Sequence, residues 1–123
     1  MKVTKSGKTL TIDGRKLAFD QRVEAMVVLD HRVIIELDAD DFELGDPLVG
    51  RNILAFDSNG EMLWRIPATG MMVRDDDSSP EAPEAFFGLG LHSDGKTITI
   101  GTPDMIYEVD PETGKIFNGI INK

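Results

Sequence analysis

The segment Asn52-Ile53-Leu54-Ala55-Phe56-Asp57-Ser58-Asn59-Gly60-Glu61-Met62-Leu63-Trp64 recurs, in altered form, later in the chain. The second copy is Met105-Ile106-Tyr107-Glu108-Val109-Asp110-Pro111-Glu112-Thr113-Gly114-Lys115-Ile116-Phe117. Each copy is an apolar alternating run, an aspartate, a turn ending in glycine, and a second apolar run. An internal repeat outranks residue-by-residue propensity, because overlooking it misassigns the whole architecture.

The surroundings of both copies read as strands. Before the first copy, Ala25 to Leu29 is apolar on both faces, as a central buried strand is. Asp30-His31 is a tight turn. Arg32 to Leu37 places Val33, Ile35 and Leu37 on one face and Ile34 and Glu36 on the other. A loop over 38–50 carries Gly45-Asp46-Pro47. Within the copy, Ile53 to Phe56 is a strand, Ser58-Asn59-Gly60 turns it, and Met62 to Ile66 is the next. Strand alternation puts Met62, Trp64 and Ile66 together, with Trp64 in the core, and Pro67 ends the run.

The second copy has the same escort. Phe86-Phe87-Gly88-Leu89-Gly90-Leu91 is a strand whose glycines point to a bulge or a close backbone approach. Ser93-Asp94-Gly95-Lys96 is a hairpin turn, and Thr97 to Gly101 alternates with Ile98 and Ile100 inward. Met105 to Val109 and Lys115 to Ile121 follow. The last strand is expected to pair with the N-terminal strand or with a partner chain. The N-terminus reads as a hairpin or short meander, in which Thr9 to Asp13 alternates with period two and Lys16 to Phe19 is the next short strand.

The chain thus divides into an N-terminal hairpin (1–22), a first four-stranded unit (23–66), an acidic Pro/Ser-rich loop (67–84) and a second four-stranded unit (85–123). Within the loop, Ser78-Ser79-Pro80-Glu81 has the form of a capping box, limited to one turn by Pro83. The expected fold is a single all-β domain. It has two four-stranded antiparallel blade-like sheets plus the hairpin, packed as a sandwich or flattened barrel.

The Asp-turn-Gly phrase followed by two apolar residues and Trp64 resembles the repeat of quinoprotein (PQQ-like) β-propellers. The resemblance covers 23–66 and 85–123. It implies that Asp57–Gly60 and Asp110–Gly114 join the third and fourth strands of blades. Two units cannot close a ring of four to eight blades. The quinone of those propellers lies on the axis of a full ring, so no cofactor residue is carried over. More loosely, the size, the acidity and the run from Tyr107 to Ile116 resemble small bacterial immunity proteins, including those of contact-dependent inhibition systems. That resemblance implies a stoichiometric inhibitor of a basic nuclease toxin.

The 123 residues carry a net charge of −9. That acidity argues against nucleic acid and anionic membranes as ligands. The absence of cysteine excludes disulfides and thiol chemistry. The first residues have charge but no apolar core of a signal peptide, and the expectation is a cytoplasmic protein. The acidity is clustered: Asp30, Glu36, Asp38, Asp40, Asp41, Glu43 and Asp46 against Arg32, then Asp75, Asp76, Asp77, Glu81 and Glu84 with no cation. Such runs are commonly solvated loops. The sharper reading is a docking surface for a basic partner.

Catalytic and metal readings fare poorly. From Asp38, the spacing of a calcium loop fails, because Phe42 and Glu43 stand where a ligand and a glycine are required. Glu36 is the best-placed carboxylate for acid–base chemistry, and its plainer reading is an exposed strand residue or a partner of Arg65. His31 and His92 fall near turns, where histidines are commonly plain surface residues. Neither a nucleophile elbow nor a dinucleotide loop is present.

The sequence therefore points to a non-enzymatic binding domain without metal or cofactor, an immunity or inhibitor protein for a basic toxin. Its contact residues would be Asp38, Asp40, Asp41, Glu43, Asp46, Asp75, Asp76, Asp77, Glu81 and Glu84. The alternative is an oligomeric propeller-like module that binds a small ligand.

Overall fold

The computed structural model describes residues 1–67, 85–103 and 105–121. Their strands form three antiparallel sheets. The first holds β1 (Val3–Ser6), β2 (Thr9–Ile12) and β3 (Arg15–Ala18). The second holds β4 (Val23–Val28), β5 (Arg32–Leu37), β6 (Ile53–Asp57) and β7 (Met62–Arg65). The third holds β8 (Phe87–Leu91), β9 (Ile98–Gly101), β10 (Met105–Val109) and β11 (Ile116–Ile121). Each sheet is a meander in sequence order. The two four-stranded units are those of the repeat. The N-terminal hairpin is a three-stranded meander, since Val3–Ser6 adds to β2 with Val3 opposite Ile12.

The sheets stay separate and do not close into a barrel. They stack, with the second sheet in the middle. Side chains alternate between the faces of a strand, and β5 is apolar on both. Val33, Ile35 and Leu37 pack with Leu10, Ile12, Leu54 and Phe56 against the first sheet. Ile34, Ile53, Ala55 and Trp64 pack with Phe86, Ile98, Ile100 and Val109 against the third. The sheets come closest at their first strands, β1 to β4 and β4 to β8.

The repeated aspartate builds its own turn. Asp57 Oδ1 accepts from the backbone N–H groups of Asn59 (2.9 Å) and Glu61 (3.0 Å). Asp110 Oδ1 accepts from Glu112 N–H at 2.9 Å. Both copies also carry a β-bulge in the same place, between Ala55 and Phe56 and between Glu108 and Val109. The bulge corrects one sequence expectation. An extra residue reverses the alternation, so Trp64 lies opposite Ala55 while Met62 lies opposite Phe56. Met62 does not share the face of Trp64 and Ile66, and it is 56% exposed. The glycine-marked bulge in β8 is present, between Phe87 and Gly90.

The second turn docks on the second sheet. The Trp64 indole N–H donates to Pro111 O at 2.8 Å. The Arg32 guanidinium donates to Pro111 O at 3.0 Å and to Glu112 O at 3.2 Å. Gly114 lies directly against the indole. A second tie is Asn52, buried completely. Its amide donates to Leu37 O (2.9 Å) and Phe86 O (2.8 Å) and accepts from Phe86 N–H (2.9 Å). The last strand pairs with β10 rather than with the N-terminal strand, because β1 is committed to the far side of the stack. Among the described residues no helix is long and apolar enough to cross a membrane. The turn expected over 78–81 lies outside the described residues.

Candidate functional site

The loop between β5 and β6 is compact. Asp38 caps a short 3-10 turn over Ala39–Asp41, its Oδ1 accepting from Asp40 N–H at 2.9 Å. Asp46 caps a 3-10 helix over Pro47–Arg51, its Oδ1 accepting from Leu48 N–H at 2.9 Å. Capping by a carboxylate satisfies donors that a helix start leaves unpaired. Asp41 Oδ2 accepts from Arg22 N–H at 2.7 Å and ties the loop to the entry of β4. Arg65 Nε donates to Arg51 O at 2.6 Å, and Arg51 Nε donates to Ile66 O at 3.0 Å. These crossed contacts hold the far end of the loop on β7. Burial, and the charge of Arg51 nearby, lower the Arg65 pKa from its ordinary value.

Of the expected contact residues, Asp38, Asp41 and Asp46 therefore bind their own backbone, and Asp40 and Glu43 are exposed. Asp75, Asp76, Asp77, Glu81 and Glu84 lie outside the described residues. The fold adds Asp20 and Gln21, from the link between β3 and β4, to the same place. Asp20, Gln21, Asp41, Glu43 and Asp46 line a concavity of about 560 Å³. An adjoining cleft of about 270 Å³ has Phe19, Leu37, Phe42 and Leu54 in its lining, with Arg65 among its polar groups. The described residues contain no trio of His, Asp or Glu side chains close enough to hold a metal ion. Carboxylates spaced around a wide hollow suit bulky cationic groups, such as lysine and arginine side chains.

Leu44 joins the site although nothing but its place in an acidic run marks it in the sequence. Glu43 O accepts from Asp46 N–H at 3.0 Å, and Gly45 has φ +85°, so residues 43–46 form a type II turn. Leu44 stands at its tip, fully exposed. The signal was an apolar residue before glycine inside an acidic run.

Glu36 does not reach Arg65, whose guanidinium is committed to the loop. Its Oε1 accepts from Leu89 N–H at 3.0 Å and joins β5 to β8. Burial raises its pKa above the ordinary 4.5, and Glu24 and Asp38 add to this while the Leu89 bond opposes it. The folded chain thus holds this proton more tightly than the unfolded chain. Stability falls as pH rises from about 4.5 through the raised value, then stays at the lower level. Glu36→Gln keeps an acceptor for Leu89 and removes the titration. Urea midpoints measured across that interval are expected to fall less steeply for the variant. Parallel curves would show that Glu36 does not titrate there. His31 sits in an exposed turn. His92 accepts from Asp94 N–H at 3.2 Å within its own hairpin turn.

Residues 1–119 match the family described as Domain of unknown function (DUF7957), and the chain belongs to it. No curated protein and no solved structure matches the chain.

Proposed function

We propose that this domain binds a basic protein partner through the face formed by the 38–48 loop and Asp20. The observation that carries the reading is Leu44, fully exposed between Glu43 and Asp46 on a loop pinned at both ends. An apolar anchor amid charge is the composition of an interface centre, and pinning lowers the entropy lost on docking. The carboxylates steer a cationic surface toward it. In its specific form, the proposal is an immunity or inhibitor protein that neutralises a basic toxin such as a nuclease, acting by occlusion rather than by chemistry.

The test mixes the protein with the product of the adjacent gene and follows binding by interferometry at several salt concentrations. Leu44→Ala is expected to weaken affinity by about tenfold or more, chiefly through faster dissociation. Glu43→Lys is expected to slow association and flatten its salt dependence. Absence of a complex, or a complex indifferent to both changes, overturns the reading.

A further inference from the structure

The outer edges of the three sheets are built differently. β3 exposes Arg15 and Lys16. β7 has four residues, a bulge and Arg65. Charge, shortness and bulges are the usual means by which sheet edges avoid pairing with other chains. β11 has six residues, Ile116-Phe117-Asn118-Gly119-Ile120-Ile121, and not one is charged. Its bulge is confined to its start, and Asn118 to Ile121 run in regular register with β10. Among the described residues only one side of this strand is paired, with β10. Phe117, Ile120 and Ile121 are 54%, 50% and 67% exposed. Ile106, beside Ile120 on β10, is exposed as well.

We propose that two copies of the chain join through β11, antiparallel about a two-fold axis, and extend the third sheet to eight strands. Self-complementarity points to a second copy at this edge, and the lack of charge on β11 permits it. Copies that each carry −9 repel wherever their acidic loops face each other. β11 itself brings no carboxylate to such a contact. An antiparallel edge is also self-complementary, since under a two-fold axis each strand presents the donors and acceptors the other lacks. An edge of six residues is about 20 Å long, so the interface is small and the dimer depends on concentration. The contrast within the repeat supports an edge contact over further stacking. Asn118 occupies the ladder position that Trp64 fills in the first copy, and it bonds Glu108 at 3.3 Å instead of reaching outward.

Sedimentation velocity over a roughly hundredfold range of concentration tests the proposal. Wild type is expected to move from monomer to dimer mass and to stop there, because a two-fold contact uses up the β11 edge of each copy. Ile120→Lys and, separately, Phe117→Lys place like charges near the axis and are expected to raise the dissociation constant by at least about tenfold. Trp64 fluorescence reports whether each variant is folded, and Ile121→Lys replaces either one that is not. Glu43→Lys, in the loop proposed to bind the basic partner, should leave the dimer unchanged, so the two proposals fail separately. A wild-type monomer throughout, a dimer that survives the lysines, or a larger closed assembly overturns the inference.

Discussion

Asn52→Ala is expected to cost about 3–5 kcal/mol, a large part of the 5–15 kcal/mol typical of a domain. The amide is fully buried and serves three backbone groups, Leu37 O, Phe86 O and Phe86 N–H. Alanine leaves all of them without that partner, away from water. An orphaned buried donor costs about 1–3 kcal/mol, and orphaned carbonyls add to this. The loss also unties β8 from the start of β6, because Asn52 is the side-chain bridge between them. Asn52→Asp sharpens the test. A carboxylate still accepts from Phe86 N–H but faces two carbonyl oxygens with no proton to offer. It would have to bind a proton to fit, which raises its folded pKa. The variant should therefore be more stable at low pH and lose stability as pH rises through that value. Urea unfolding followed by Trp64 fluorescence reads both. An alanine variant within about 1 kcal/mol of wild type would show that water replaces the amide.

Gly114→Ala is expected to cost about 2–5 kcal/mol, the sum of backbone strain and overpacking. Gly114 has φ +75°, where a side chain is disfavoured by about 1–2 kcal/mol. A Cβ there would also lie 2.5 Å from Trp64 Cε3 and 2.6 Å from Cδ2. The indole cannot retreat without giving up its bond to Pro111 O and its place among Val27, Ile34 and Ile53. Gly60, the corresponding residue of the first copy, separates the two effects. Its φ is +81°, but an added Cβ would make ordinary contact with Leu17 at 3.5 Å. Gly60→Ala should then show the strain alone. Trp64→Ala is itself expected to cost about 3–5 kcal/mol. In that background Gly114→Ala should fall to the cost seen at Gly60. Additive costs in this double-mutant cycle would show that the indole and the glycine do not collide.

Much of the architecture was legible locally. The two four-stranded units, their turns and the bulge in β8 all follow from short-range pattern, because alternation and turn chemistry act over a few residues. Met62 departs from its local pattern because that pattern is short-range. Its alternation is regular in the sequence, and the bulge that reverses it is set by pairing with β6. Glu36 lies on the face of β5 that alternation gives it, yet its partner, Leu89 N–H, belongs to a different sheet.

The candidate site was half legible. The acidic run at 38–46 was visible as composition. That three of its carboxylates would be spent on backbone donors, leaving Asp40, Glu43 and Leu44 as the outward groups, depends on how the loop folds. Asp20 joins them only because the first sheet packs beside β5.

The amino-acid sequence alone established the repeat, the strand content, the turn-forming aspartates and glycines, and the clustered acidity, all of which rest on neighbouring residues. The tertiary structure decided the rest: three stacked sheets with the second buried on both faces, Asn52 and Gly114 as the joints between sheets, and β11 as an edge strand among the described residues. These depend on contacts between residues far apart in the chain, which are set by mutual burial and by the need of every buried polar group for a partner, and no local pattern encodes them.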